Sequence, residues 1–108
     1  MADAVRLPLA AGTADCAVAF MSLHDVDHMP AVVNEIARLL SAGGHLAMAI
    51  VHPINSAGQF VGDKADADRP FVIGGSYLQP ERYVDTFSRD GLTMTFYGEH
   101  RSLQAYTE

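Results

Sequence analysis

The sequence predicts an α/β fold in which one parallel strand-helix-strand unit is joined to an antiparallel hairpin. Three observations lead there. Cys16 to Met21 and Leu46 to Val51 are short, unbroken apolar runs, the pattern of strands covered on both faces, as in parallel sheets. Between them, Ala31 to Leu40 carries Val33, Ile36, Ala37 and Leu40 at the i, i+3, i+4, i+7 spacing of a one-sided apolar helix, with Asn34, Glu35 and Arg38 falling away from the stripe. Further on, Arg82 to Phe87 and Leu92 to Tyr97 flank Ser88-Arg89-Asp90-Gly91, and Asp-Gly between such runs is a strong hairpin signal.

Each element has its own punctuation. Met1 to Ala14, with Leu7-Pro8-Leu9 and the small-residue run Ala10-Ala11-Gly12-Thr13-Ala14, reads as a loop leading into the first strand. Pro30 is the expected helix start and Gly43-Gly44 the expected stop. Strand, crossover helix and strand then form a parallel pair, right-handed as nearly all such crossovers are. In open α/β sheets ligands bind outside the carboxyl ends of the strands. The first strand runs out into Ser22-Leu23-His24-Asp25 and the second into His52-Pro53-Ile54-Asn55, so both exits share one polar rim. Ile54 to Pro80 is long and irregular, rich in Gly and Pro, with a charged run from Asp63 to Arg69 that reads as a solvated face and a short strand at Phe71 to Ile73. It is either a closing lid or a loose insertion. In the hairpin, Leu92, Met94 and Phe96 point to one side together with Tyr83 and Phe87, and Ser102 is the expected N-cap of a helix over Leu103 to Tyr106. The 108 residues read as one truncated domain: residues 1–53 as the strand-helix-strand unit, 54–81 as a lid-like loop, 82–108 as hairpin and helix start.

Composition narrows the function. With 49% apolar and 19% charged residues and a net charge of −6, the chain is that of a soluble globular protein and a poor partner for a phosphate backbone, so nucleic acid is not expected. No apolar run approaches the ~20 residues of a membrane span, and no signal-peptide pattern opens the sequence. The expected location is cytoplasmic, without membrane association. The single cysteine, Cys16, lies in an apolar run and reads as a small core residue. In Leu23-His24-Asp25-Val26-Asp27-His28 two histidines stand four apart, but ahead of Pro30 the segment is a loop and no third ligand has a fixed spacing. No metal is expected there.

The order of residues resembles that of the class I S-adenosylmethionine-dependent methyltransferases, closest to the small-molecule group often called type 11. The resemblance rests on Asp3-Ala4, Leu7-Pro8-Leu9, Ala14-Asp15, the strand to Met21, Ser22-Leu23-His24, Pro30, Ile36-Ala37-Arg38-Leu39-Leu40, Gly43-Gly44 and the strand ending at His52-Pro53. Tyr83 to Tyr106 is similar to the hairpin and helix start that such enzymes carry near their end. The implied fold is a partial Rossmann-like methyltransferase fold. The implied cofactor is S-adenosylmethionine, with Asp3 on the adenine amino group, Ala4 offering an amide to the ring, and Phe20, Met21, Ser22 and His24 bordering the cofactor and its methyl group. On the substrate side the resemblance places His100 and Arg101; His52, held extended ahead of Pro53 at the strand exit, and Tyr77 are the other substrate-side candidates. His52 is the candidate base, and Arg101 is suited to a carboxylate. The bland readings are a frayed terminus for Asp3, a structural role for His52 and an exposed pair for His100-Arg101. The family's Gly-rich strand-turn, where close backbone approach holds the methionine and ribose parts, has no counterpart in the sequence, which reads as the back half of such an enzyme, cut at both ends. Cofactor binding is therefore expected to be weak or lost.

Methyl transfer needs no nucleophile from the protein, only alignment and exclusion of water. No obligatory catalytic constellation is expected. The two doubly apolar strands and single good helix leave apolar area that a homodimer would cover. The function expected is that of a methyltransferase-like protein acting on a small molecule; the alternative is a noncatalytic dimeric module that binds a small ligand or regulates a full-length relative.

Overall fold

The computed structural model describes residues 2–108. The chain divides into two compact units, Met1–Ile50 and Val51–Glu108.

In the first unit, β1 (Ala14–Phe20) is followed by α1 (Met29–Leu39) and β2 (Leu40–Ala49). The two strands pair in parallel, from Cys16↔His45 to Phe20↔Ala49, as the apolar runs predict. Two local details differ from expectation. The helix ends at Leu39, ahead of the glycine pair, and Leu40 is already extended with its amide bonded to Ile36 O. Gly43-Gly44 instead lies in an irregularity of β2, where the register passes from Ala14↔Leu40 to Cys16↔His45. Gly43 has φ +82°, a left-handed conformation that glycine adopts without steric cost. A bond from Ser41 Oγ to Asp15 Oδ1 at 2.7 Å ties the bulge to β1.

The buried stripe of α1 also differs. It consists of Met29, Val32, Glu35 and Leu39, rotated by one position from the predicted Val33, Ile36, Ala37 and Leu40. Leu23 and Ala19 join Met29, Val32 and Leu39 as the buried apolar residues of the unit. One helix covers one side of two strands, so Val18 and Phe20 on β1 and Met48 on β2 remain exposed, and so does Cys16. The expectation of strands covered on both faces, with Cys16 in a core, does not hold within this chain.

In the second unit, α2 (Ile54–Ala57) leads into β3 (Gly58–Phe60), which pairs antiparallel with β4 (Phe71–Ile73). The predicted short strand therefore forms with its predicted bounds. Phe60 and Phe71 meet edge to face at 5.1 Å, and the Arg69 guanidinium lies 4.9 Å from the Phe60 ring centroid. The charged run folds into two successive Asx turns, Ala65 N to Asp63 Oδ1 and Asp68 N to Asp66 Oδ1, both 2.9 Å and exposed.

β5 (Glu81–Arg89) and β6 (Leu92–His100) form the predicted hairpin, in register from Glu81↔His100 to Arg89↔Leu92. Asp90 and Gly91 have φ of 53° and 77°. Two left-handed residues in a two-residue loop define a type I′ turn, whose twist matches that of the strands. The last helix, α3, spans Gln104–Thr107 and is capped by Leu103 without a side-chain bond, which corrects the assignment of Ser102 as N-cap. The Leu103 amide donates to Tyr77 Oη at 3.1 Å, which ties the start of α3 to the Tyr77 turn. No helix of the described residues is long and apolar enough to cross a membrane.

Replacing Gly91 by Ala at its positive φ is expected to cost about 1–2 kcal/mol, and Gly91→Asn less, because Asn tolerates the left-handed region. All four tyrosines, Tyr77, Tyr83, Tyr97 and Tyr106, lie in the second unit and the chain has no tryptophan. Urea unfolding followed by tyrosine emission thus reads that unit alone; equal midpoints for wild type and Gly91→Ala would contradict the turn.

Candidate functional site

The N-terminal segment, residues 2–13, is mostly exposed and outside the paired strands, so its backbone groups need partners from elsewhere. α1 supplies them through one side-chain pair. Glu35 Oε1 accepts from the Leu7 amide at 2.7 Å and from Arg38 Nη2 at 2.7 Å, while Oε2 accepts from Arg38 Nε at 2.8 Å. Arg38 Nη2 also donates to the carbonyls of Leu7 at 3.3 Å and Leu9 at 3.0 Å, and the Arg38 carbonyl accepts from the Gly12 amide at 3.0 Å. The planar guanidinium fork suits this two-point grip on a carboxylate.

Glu35 is 8% exposed. The Arg38 hydrogen bonds and then the Leu7 amide hold its carboxyl at a pKa of about 2, against the opposing effect of burial. The folded pKa is depressed, so the stabilisation is complete above the ordinary carboxylate range and is lost as pH falls through that range toward about 2. An open pocket of about 500 Å³ lies over this clamp, lined by Arg6, Leu7, Pro8, Leu9, Glu35 and Arg38. None of these six is among the residues expected to touch a cofactor.

Upstream of the clamp, Asp3 folds back on its own segment. Its Oδ1 accepts from the Val5 amide at 3.0 Å and its carbonyl accepts from the Arg6 amide at 3.0 Å. Asp3 and Ala4 thus occupy an exposed Asx turn that the Leu7 contacts anchor to α1. A frayed terminus is not what the structure has at Asp3.

Beyond β1, Met21 takes φ 51° and its amide donates to Ala49 O at 2.8 Å, closing the parallel pair. A left-handed methionine costs of order 1–3 kcal/mol, and such residues gather at functional edges. The Ser22 carbonyl then accepts from the Asp25 amide at 3.1 Å, and Leu23 is buried beneath the turn. His24 lies 3.6 Å through Nε2 from Asp25 Oδ1. Its Nδ1 is buried and has no hydrogen-bonding partner among the described residues, a situation that buried polar atoms rarely tolerate. Phe20, Met21, Ser22 and His24 therefore form one strand exit, within the same unit as the Asp3 turn. Among the described residues no group of three or more His, Cys, Asp or Glu side chains could hold a metal.

The four residues expected on the substrate side, His52, Tyr77, His100 and Arg101, fall in the second unit. His100 is buried; its Nδ1 is 2.8 Å from Ser56 Oγ and its Nε2 2.8 Å from the Tyr77 carbonyl. A carbonyl only accepts, so Nε2 carries a proton. The Ser56 hydroxyl also reaches the Pro53 carbonyl at 3.0 Å. Tyr77 and His100 rings stack edge to face at 5.6 Å. Arg101 is buried and pairs with Glu99. His52 is exposed and its Nδ1 accepts from the Ile54 amide at 3.2 Å. His100 thus joins α2, the Tyr77 turn and the end of β6, in place of the exposed pair weighed for the sequence. Sequence reasoning missed Glu35, Arg38 and Ser56. The i, i+3 spacing of Glu35 and Arg38 was the available signal for the first two.

Comparison with known proteins points one way. The family model described as "Methyltransferase domain" matches residues 1–48. The phthiotriol/phenolphthiotriol dimycocerosates methyltransferase of Mycobacterium leprae (strain TN) is 34% identical over 65 residues, 60% of this chain and 24% of that protein. An S-adenosylmethionine dependent methyltransferase from Mesorhizobium loti superposes with a TM-score of 0.71 at 24% identity, over 98% of this chain and 47% of that one. The second likeness is one of fold. The chain spans about a quarter of the length of the first protein and about half that of the second.

Breaking the clamp is expected to release the N-terminal segment while β1 and β2 stay paired. In Glu35→Gln or Arg38→Ala, exchange of the Leu7 amide should accelerate by roughly tenfold or more, the scale of a lost hydrogen bond to a charged group. Amide exchange followed by NMR reads this directly, with the β2 amides as internal reference. Unchanged protection at Leu7 would show that the clamp does not hold the segment.

Proposed function

We propose that this chain, which carries part of a class I S-adenosylmethionine-dependent methyltransferase domain, contributes the adenine-side turn and a strand exit of a cofactor site that serves methyl transfer to a small molecule. The observation that carries the reading is the coincidence of the family match over residues 1–48 with the braced Asp3 turn and the β1 exit.

The residues on that side fit the cofactor. Asp3 presents an exposed carboxylate, an acceptor for an exocyclic amine, and Ala4 follows it in the same turn. His24 Nδ1 is a buried atom in need of a partner beside the exit. Phe20 and Met21 add apolar surface that excludes water. When bound, S-adenosylmethionine supplies a methyl group already activated on a sulfonium. The chain's part is then to bind, to orient and to keep water out. The methionine and ribose parts have no Gly-rich turn in this sequence to lie against, so the affinity is expected to be weak.

The substrate side is proposed as His52, Tyr77, His100 and Arg101. The reading does not depend on a base, since His52 Nδ1 already accepts from Ile54 and would have to release that bond. A second reading is a noncatalytic small-ligand or regulatory module derived from a methyltransferase. It is favoured by the internal engagement of Tyr77, His100 and Arg101, whose bonds hold their own unit together.

Calorimetric titration with S-adenosylhomocysteine separates the two. The methyltransferase reading predicts saturable heat that weakens roughly 10- to 100-fold in Asp3→Ala, the loss of one hydrogen bond to a charged group. Absence of heat from the folded wild-type chain, or heat indifferent to Asp3, would favour the module.

A further inference from the structure

We propose that the face of the β5–β6 hairpin bearing Phe87, Leu92, Met94 and Phe96 is a self-complementary interface that takes the same face of a second copy of this chain. The inference rests on the register and the exposure of this face, and stands apart from the cofactor reading.

In an antiparallel pair, residues directly opposite one another lie on the same face. The register therefore stacks four rungs on one side of the sheet: Arg89–Leu92, Phe87–Met94, Asp85–Phe96 and Tyr83–Gly98. The four apolar side chains in the first three rungs are all exposed, and the most covered of them, Phe96, keeps 49% of its surface accessible. The opposite face carries Ser88–Thr93 and Thr86–Thr95 on two successive rungs before the exposed Val84–Tyr97 rung, so next to the turn the run of apolar side chains belongs to the first face. A two-stranded hairpin with one unpacked apolar face is marginal in water, and a contiguous exposed apolar patch of this kind marks an interaction surface.

Charge decides the occupant. About the Phe87–Met94 rung, Asp85 stands one rung to one side and Arg89 one rung to the other, both on β5. A two-fold axis in the plane between two facing sheets, crossing the strands at that rung, lays β5 over the partner's β5 in the opposite direction. Phe87 and Met94 then meet their own copies and Phe96 meets Leu92. Asp85 meets Arg89 twice, once at each end, which is the signature of an isologous contact. Arg89 is available for it. Its present contact, 3.5 Å from Asp90 Oδ2, joins two side chains that are 79% and 86% exposed, and such pairs contribute little. The patch is much smaller than the ~20–30 residues per side of a standard interface, so the dimer is reversible and concentration-dependent.

Sedimentation equilibrium over a wide range of chain concentrations tests this, with circular dichroism and tyrosine emission confirming that each variant is folded. The wild type should pass from monomer to dimer and no further. Asp85→Arg alone and Arg89→Asp alone should each weaken the dimer by tenfold or more, because each sets like charges opposite one another at both ends. The double reversal should restore it. A wild type monomeric at every concentration would hand the face to a different occupant and overturn the proposal. So would growth beyond the dimer, single reversals without effect, or a double reversal that fails to rescue.

Discussion

The carboxylate of Glu35 is the hinge of the first unit. It takes the Leu7 amide and two nitrogens of Arg38, and through that grip the last turns of α1 hold a segment with little regular structure of its own. A buried carboxylate without such donors would be strongly unfavourable. With them it remains ionised, and its charge is what orients Arg38 toward the carbonyls of Leu7 and Leu9. The Asp3 turn inherits its place from this arrangement, because Arg6 and Leu7 are its immediate continuation. A side-chain pair on a helix thus decides where an N-terminal carboxylate stands, and that carboxylate is the residue on which the proposed adenine contact rests.

The second unit is organised around a different buried polar residue. His100 uses both ring nitrogens, toward Ser56 and the Tyr77 carbonyl, and the Tyr77 hydroxyl in turn meets the Leu103 amide. His100 and Tyr77, proposed above for the substrate side, hold α2, the Tyr77 turn, β6 and the start of α3 together. A group can be both structural and a ligand, but its bonds within the chain must then be exchanged for bonds to the ligand. The first unit differs in this respect, since His24 Nδ1 is buried without a hydrogen-bonding partner among the described residues.

Much of the fold was legible because its signals are local. Two apolar runs and the helix between them identify β1, α1 and β2, and Asp90-Gly91 identifies the turn of the hairpin, since φ is positive at both residues. The face of α1 was not legible. Met29, Val32, Val33, Ile36, Leu39 and Leu40 form a wide apolar arc, so periodicity alone admits two stripes one position apart, and a charged residue counts against burial. The choice is made by the Leu7 amide, a partner 28 residues away in sequence. Ser102 is not the cap because α3 begins one residue later than the pattern suggests, with Leu103 in the capping position. The glycine pair suits a helix stop and a strand bulge equally well, because both need left-handed freedom, and Gly43 serves the bulge. Of the candidate site, the exit residues of β1 followed from the strand itself. The buried state of His100 depends on Ser56 and the Tyr77 carbonyl, partners that no local pattern announces.

The most direct measurement of this account is a titration of the Glu35 carboxyl carbon by NMR in the folded chain. Clamped by Arg38 and Leu7, it should titrate at about 2. A midpoint in the ordinary carboxylate range, near ~4.3, would mean that the clamp is not formed and that the Asp3 turn has no fixed place on the unit.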